Sequence, residues 1–258
     1  MRRGTSGAAI MVSTNNPFRV HKRGDERVGT QGRWLRSINP LPSILPYVWT
    51  THAESYEMEL LQEPNLGWLD TQVLLEWLVR QLEDDIWARD PVVGFDLRAH
   101  QRKLLLYTPF HEVSDPAWTR FVELRREIDW DSLRRCLTHG DPTYDNVMFR
   151  DNSGKLPTPV LVDPLPATPA VPDLWSVDLG KLLQSCLGWE VHRYSDIRMS
   201  FAHPLELRQA LKLEQTDNEW RATVYWCVVH LLRTLPYLES ATTRIGVGRM
   251  IDEALLLL

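Results

Sequence analysis

Three side chains stand at a spacing that could do chemistry. Asp141 and Asn146 lie within Thr138-His139-Gly140-Asp141-Pro142-Thr143-Tyr144-Asp145-Asn146, and Asp163 closes Val160-Leu161-Val162-Asp163-Pro164. As spacing this is H-x-D-x-x-x-x-N, followed by a short apolar strand that ends in an acid. In such an arrangement the first carboxylate can accept the proton of a hydroxyl, while the amide and the second carboxylate offer oxygen to a divalent cation. Magnesium prefers hard oxygen donors and keeps several of its waters, so one carboxylate and one amide carbonyl suffice. Phosphoryl transfer asks a protein mainly for positioning and charge neutralisation, so few residues need carry it.

The elements around these groups must hold them. His-Gly-Asp alone is an ordinary turn. Here it precedes an apolar triplet, Val147-Met148-Phe149, a polar turn from Arg150 to Lys155, and a strand from Pro159 to Val162. That is a hairpin with an acid-amide pair before one arm and a carboxylate after the other. A surface turn with incidental acids is the alternative, and the combined pattern argues against it.

At these residues the chain resembles the aminoglycoside phosphotransferase and choline kinase superfamily, whose fold is protein-kinase-like. The resemblance covers nearly the whole chain and is sharp from about 138 to 184, where Pro172-Asp173-Leu174-Trp175-Ser176-Val177-Asp178 matches the family's Asp-rich helix start. Asp163-Pro164, in place of Asp-Trp or Asp-Phe-Gly, is similar to a bacterial branch associated with capsular polysaccharide and sugar-phosphate pathways. The resemblance implies that Asp141 is the catalytic base, that Asn146 and Asp163 hold magnesium, and that ATP or GTP is the donor. It implies an α+β fold of two lobes: a small antiparallel-sheet lobe over 1–62 and a mostly helical lobe over 63–258.

In the small lobe the Gly4-Thr5-Ser6-Gly7 turn would meet the phosphates through Thr5 and Ser6, with Lys22 as their cation. A solvated lysine at a strand end is the alternative for Lys22. The alternating run from Tyr56 would lead to a hinge whose backbone, at Glu59, Leu60 and Leu61, meets the adenine. Relatives carry a glutamate for the strand lysine on the following helix, read here over Gln31 to Ile38. This chain has Gln31 there, so the lysine's partner is Glu26 from the preceding turn or the ion pair is absent. In kinase-like folds the position of His139 is a buried hydrogen-bonding strut, and Asp178 would brace the same loop. Acids at a helix start also suit the helix dipole, which gives Asp173 and Asp178 a structural reading. Asp145 and Glu190 stand as substrate contacts, although Glu190, His192, Tyr194 and Asp196 also read as exposed polar loop residues.

Bulk properties narrow the field. The 258 residues suffice for one large domain or two small lobes, and 43% hydrophobic with 24% charged residues suits a globular protein. A net charge of −5 and a pI near 5.9 argue against nucleic acid as the main partner. Cys136, Cys186 and Cys227 form no C-x-x-C pair, which excludes a zinc ribbon and suits a reducing cytoplasm. The apolar run from Ala8 to Val12 is too short for a secretory signal, and no stretch approaches the roughly 20 apolar residues of a membrane span.

From Trp68 the pattern turns helical. Leu74, Leu75, Leu78, Val79, Leu82 and Ile86 form a core stripe, and helices are expected over 117–128, 177–187 and 219–235. Pro164, Pro166, Pro169 and Pro172 rule out a helix or interior strand between the hairpin and the 177 helix. So short a linker, with no phosphosite or Ala-Pro-Glu, points to a small hydroxyl-bearing acceptor instead of a peptide. A nucleotide-binding regulatory protein without phosphotransfer is the rival, motivated by Gln31 and the unorthodox glycine turn.

Overall fold

The computed structural model describes residues 2–3, 8–13, 16, 18–38, 43–62, 71–104, 112–151, 157–193, 202–214 and 217–258. Its chain divides into two compact units. One comprises residues 1–64 and 146–166, and the other 65–145 and 167–258. The segment 146–166 thus joins the N-terminal unit, although it follows a long helical stretch in sequence.

The first unit is built on strands β1 (Arg2–Arg3), β2 (Ala9–Val12), β3 (Arg19–Arg23), β4 (Val48–Thr51) and β5 (Ser55–Glu59), in the antiparallel order β1-β2-β3-β5-β4. Alternation along β3 and β5 turns Val20, Lys22, Tyr56 and Met58 to the buried side, where Val20 pairs with Met58 and Lys22 with Tyr56. Helix α1 runs over Glu26–Ser37, beginning five residues before the expected start at Gln31. Its signal is Asp25, whose side chain caps the first turn by accepting from the Arg27 N–H at 2.9 Å. Gly29 and Gly32 let α1 lie against the β4–β5 hairpin. A Cβ at Gly29 would come within 1.9 Å of the Ala53 carbonyl oxygen, and one at Gly32 within 2.6 Å of Tyr56 Cβ.

Strands β6 (Val147–Arg150) and β7 (Thr158–Leu161) form the expected hairpin. Gln62 and Phe149 exchange two backbone hydrogen bonds of 2.8 Å, and the Leu161 N–H donates to Ile44 O at 2.7 Å. Arg150 donates to Glu59 Oε2 at 2.9 Å and to Ser43 O at 3.0 Å. The hairpin is therefore fastened to the rest of the first unit at several points.

The second unit is helical: α2 (Thr71–Asp85), α3 (Leu97–Leu104), α4 (Asp115–Glu127), α5 (Trp175–Cys186), α6 (Trp189–Arg193), α7 (Pro204–Ala210), α8 (Asn218–Thr234) and α9 (Ala241–Leu255). Helix α3 was not expected; it is short and mostly polar, so no long apolar stripe announces it. Its core is the pair α5 and α8. Every residue of α5 is buried, and α8 is buried from Ala222 to Leu232. The helices close on each other at Gly180, where a Cβ would meet the Cys227 nitrogen at 2.7 Å. All three cysteines are buried and free, consistent with packing roles. Among the described residues, no helix is long and apolar enough to cross a membrane.

Candidate active site

In the first unit the sheet and hairpin bring Lys22, Asn146 and Asp163 into one neighbourhood. The Asn146 carbonyl accepts from the Val162 N–H at 2.9 Å, continuing the ladder in which Val147 faces Leu161. Asn146 therefore stands across from the residue just before Asp163. Asp163 itself takes a left-handed backbone, φ 58°, which directs the chain off the strand end. Few non-glycine residues adopt that conformation, and aspartate is among those that tolerate it.

Lys22 is only 2% exposed. Its ammonium donates to Gln31 Oε1 at 3.2 Å and forms a close ion pair with Asp163 Oδ1. The helix supplies no carboxylate to Lys22, in keeping with the second sequence option, and its negative partner comes from the hairpin instead. Glu26 is exposed in the first turn of α1 and is not the partner. Gln31 holds the expected helix position as a neutral amide, and the negative charge comes from Asp163. Nor is Lys22 a solvated strand-end residue. Tyr56, its cross-strand neighbour, is fully buried, and burial and then the Asp163 charge hold its phenol well above the usual range.

The other small-lobe expectations fare unequally. Thr5 and Ser6 lie outside the described residues. The Glu59 and Leu60 N–H groups are engaged within the sheet, donating to Tyr47 O at 3.0 Å and Phe18 O at 2.9 Å. Leu61 is buried, Leu60 is exposed, and the Glu59 carboxylate is taken by Arg150.

Asn146 and Asp163 bring an amide and a carboxylate, oxygen donors of the kind magnesium takes, to one end of the hairpin beside the Lys22 ammonium. The described residues contain no cluster of three or more His, Cys, Asp or Glu side chains arranged for a metal.

The second unit holds the loop that carries Asp141. Asp178, fully buried on α5, accepts from His139 N at 2.9 Å, Gly140 N at 2.6 Å and Trp87 Nε1 at 2.9 Å. Burial pushes its carboxyl up to about 7, against donors that favour the anion. Gly140 has φ 79°, a turn that brings two successive N–H groups onto one carboxylate. Asp173 performs a parallel task one residue earlier, accepting from Thr138 N at 3.1 Å, Thr138 Oγ1 at 2.9 Å, Val92 N at 2.9 Å and Val93 N at 2.8 Å. The helix-dipole reading of these two acids is thus incomplete, because both are spent on loop backbone. His139 is buried, and its Nδ1 accepts from the Asp141 N–H at 3.4 Å.

Asp141 is part-exposed, and the Lys181 ammonium lies 3.0 Å from its Oδ1. Sequence reasoning assigned Lys181 nothing, although a lone lysine three residues after Asp178 in an apolar helix was a usable signal. Asp145 accepts from Thr143 Oγ1 at 2.6 Å. Glu190 is neither in a loop nor exposed. It sits on α6, fully buried, and its Oε1 accepts from Ser185 Oγ at 2.6 Å and Tyr144 N at 3.2 Å. Burial, then the Asp145 charge, pushes it up to about 7. A buried acid bonded to loop backbone is a brace, so its expected contact with substrate is withdrawn. The side chain of His192, and Tyr194 and Asp196 entirely, lie outside the described residues.

No protein-family model matches the sequence, and no curated protein matches it. Solved structures do. Choline kinase LicA from Streptococcus pneumoniae is 9% identical with a TM-score of 0.62, over 98% of this chain and 91% of that one. The GDP and kanamycin complex of APH(2")-IIia is 13% identical with a TM-score of 0.57, over 96% and 89%. The streptomycin–ATP–APH(2")-IIa ternary complex is 13% identical with a TM-score of 0.55, over 95% and 89%. At these identities the likeness is one of fold, and it runs the length of the chain.

Proposed function

We propose, on the premise that this chain has the kinase-like fold of the aminoglycoside phosphotransferase and choline kinase superfamily, that it is a small-molecule kinase. It transfers the γ-phosphoryl group of ATP or GTP to a hydroxyl of a small acceptor: a sugar, an amino alcohol or an aminoglycoside-like compound. The observation that carries this reading is the buried Lys22 paired with Asp163, at the hairpin end where Asn146 stands opposite. A buried ammonium beside hard oxygen donors fits a triphosphate with its metal.

In this reading Asp141 accepts the proton of the acceptor hydroxyl and orients its oxygen. Asp178 and Asp173 hold the loop backbone on either side of His139, so that Asp141 loses little freedom when the acceptor binds. Lys22 holds phosphate oxygens, with Thr5 and Ser6 proposed beside it from the sequence. Asn146 and Asp163 would hold magnesium, which when bound offsets the phosphate charge. The Asp163-Pro164 pair favours a sugar-type acceptor by resemblance to the polysaccharide-associated branch. The three buried thiols fit a cytoplasmic protein.

Gln31 favours one alternative, a nucleotide-binding regulatory protein without transfer, since the lysine lacks a helix carboxylate. Phosphotransfer from ATP and GTP to a panel of sugars, amino alcohols and aminoglycosides separates the two. The kinase reading expects one acceptor class to be phosphorylated and Asp141→Asn to reduce turnover at least about 100-fold. Nucleotide binding with no transfer to any class would favour the regulatory reading.

A further inference from the structure

Helix α5 is buried at all of its positions, yet it carries two charged residues, Asp178 and Lys181. Buried charges are rarely kept without a partner. The two stand three residues apart, hence on one face of the helix, and both reach the same loop. Asp178 takes the backbone of His139 and Gly140, while Lys181 takes the side chain of Asp141 at 3.0 Å. Gly180 lies between them and lets α8 approach to backbone contact, which fixes the depth of α5 and the point where Lys181 leaves it.

The side of Lys181 that faces α8 offers no anion among the described residues. Its titratable neighbours there are Cys227 and His230. Burial raises the Cys227 thiol, while burial and then the Lys181 charge hold His230 well below its usual value, so both are neutral. His230 Nε2 is also engaged with Val177 O at 3.2 Å, one helical turn before Lys181. The lysine's charge is therefore answered on the loop side, by Asp141.

We infer that Lys181 is a positioning residue for Asp141: it fixes one carboxylate oxygen and keeps the group ionised while it waits for the acceptor hydroxyl. The inference rests on the reading of Asp141 as proton acceptor, but the coupling of the two side chains can be measured without any acceptor. A cation at this distance does two things. It favours the carboxylate over the acid, and it restricts rotation about the Asp141 side chain, leaving Asp178 and His139 to restrict the backbone.

The test is a carboxyl 13C NMR titration of aspartate-labelled protein, with the Asp141 resonance identified by its loss in Asp141→Asn. Among the described residues, the groups around this stretch are Asp173 and Asp178 before and on α5, His139 and Asp145 in the loop, Glu190 on α6, and Cys227 and His230 on α8. All remain in each variant, so a change in midpoint reports Lys181 alone. Lys181→Met should raise the Asp141 midpoint by about one pH unit or more, and Lys181→Arg should leave it near wild type. Lys181→Gln gives the same reading should the methionine variant not fold. An unchanged midpoint in the neutral variants overturns the inference.

Turnover supplies the second readout. With a working acceptor, Lys181→Met should lower kcat about ten-fold or more at unchanged nucleotide Kd, and arginine should restore most of it. Unchanged kcat with a shifted midpoint removes the catalytic part of the inference. A wild-type protein that phosphorylates nothing, while its Asp141 midpoint still answers to Lys181, sinks the kinase reading and leaves the pairing intact.

Discussion

Each compact unit holds one buried lysine paired with a part-exposed aspartate, and the two pairs are built in opposite ways. In the first unit Lys22 sits on a sheet strand and meets Asp163, with the neutral Gln31 amide as a second partner. In the second, Lys181 sits on a core helix and meets Asp141, with two neutral groups behind it. The side chains of the lysines are 2% and 11% exposed, those of the aspartates 23% and 29%. Chemically the pairs match, but their supports do not. Asp163 is carried by the end of a hairpin with a left-handed backbone, whereas Asp141 follows a loop pinned by two buried carboxylates. In the proposed reading Asp163 would share its two oxygens between Lys22 and the metal, whereas Asp141 keeps one oxygen on Lys181 and offers the other to the acceptor.

The sharpest way to break the second pair leaves both of its members in place. Asp178→Ala strands the Trp87, His139 and Gly140 donors in the interior. At about 1–3 kcal/mol for each unsatisfied buried donor, the loss should be on the order of 4 kcal/mol, read by urea denaturation. Asp178→Asn, which keeps an acceptor oxygen, should lose clearly less. Equal losses would mean that the loop does not depend on those hydrogen bonds.

Glu190, the brace beneath Tyr144, makes the second unit sensitive to pH. Its folded value of about 7 lies above the ordinary 4.5, so the native state keeps a proton that the unfolded chain gives up. Its contribution to stability is full below about 4.5 and is lost as pH rises towards 7. Glu190→Gln removes that loss, on the order of 3 kcal/mol at pH 8 and little at pH 4.5. Melting curves for both proteins at the two pH values should converge only at the acid end. Parallel curves would contradict the assignment.

In the first unit the break lies under α1. Replacing Gly29 by alanine gains about 1 kcal/mol of helix propensity. The new Cβ meets a backbone carbonyl at 1.9 Å, which a flexible side chain cannot relieve. The clash should win, with a net loss of about 2 kcal/mol and a weaker hold of Gln31 on Lys22.

The smallest change sharpens the comparison instead. Gln31→Glu gives Lys22 an anionic partner on α1 and draws it from Asp163. A charged in place of a neutral hydrogen bond is worth about 1 kcal/mol, or about five-fold in the magnesium concentration needed to bind nucleotide. Calorimetric titration of magnesium at fixed nucleotide would show it, and an unchanged requirement would mean that Lys22 does not compete with the metal.

What the sequence disclosed follows from range. Asp141, Asn146 and Asp163 could be singled out because their spacing is a local pattern within one loop and one hairpin of the sequence. The odd residue at Gln31 was legible because the helix position could be counted back from Leu35. The start of α1 was missed although Asp25-Glu26 is an ordinary cap signal. Lys181, Asp173 and Glu190 act through partners 35 to 81 residues away, apart from Ser185 beside Glu190, and so across a fold that must already exist. Only Lys181, a lone lysine in an otherwise apolar helix, carried a local hint; nothing near Asp173 or Glu190 separates them from solvated acids. Gly29 and Gly32 were silent for the same reason, since their use lies in a hairpin that follows them.

The central claim is that Lys22, Asn146 and Asp163 form a metal–nucleotide site. It is tested most directly by thermal-shift titration with ATP and GTP, with and without magnesium, on wild type and Asp163→Ala. A nucleotide at 100 times its Kd should stabilise the native protein by about 2.7 kcal/mol. The account predicts stabilisation that requires magnesium and is lost in the variant. Equal stabilisation of Asp163→Ala by nucleotide and magnesium would contradict it.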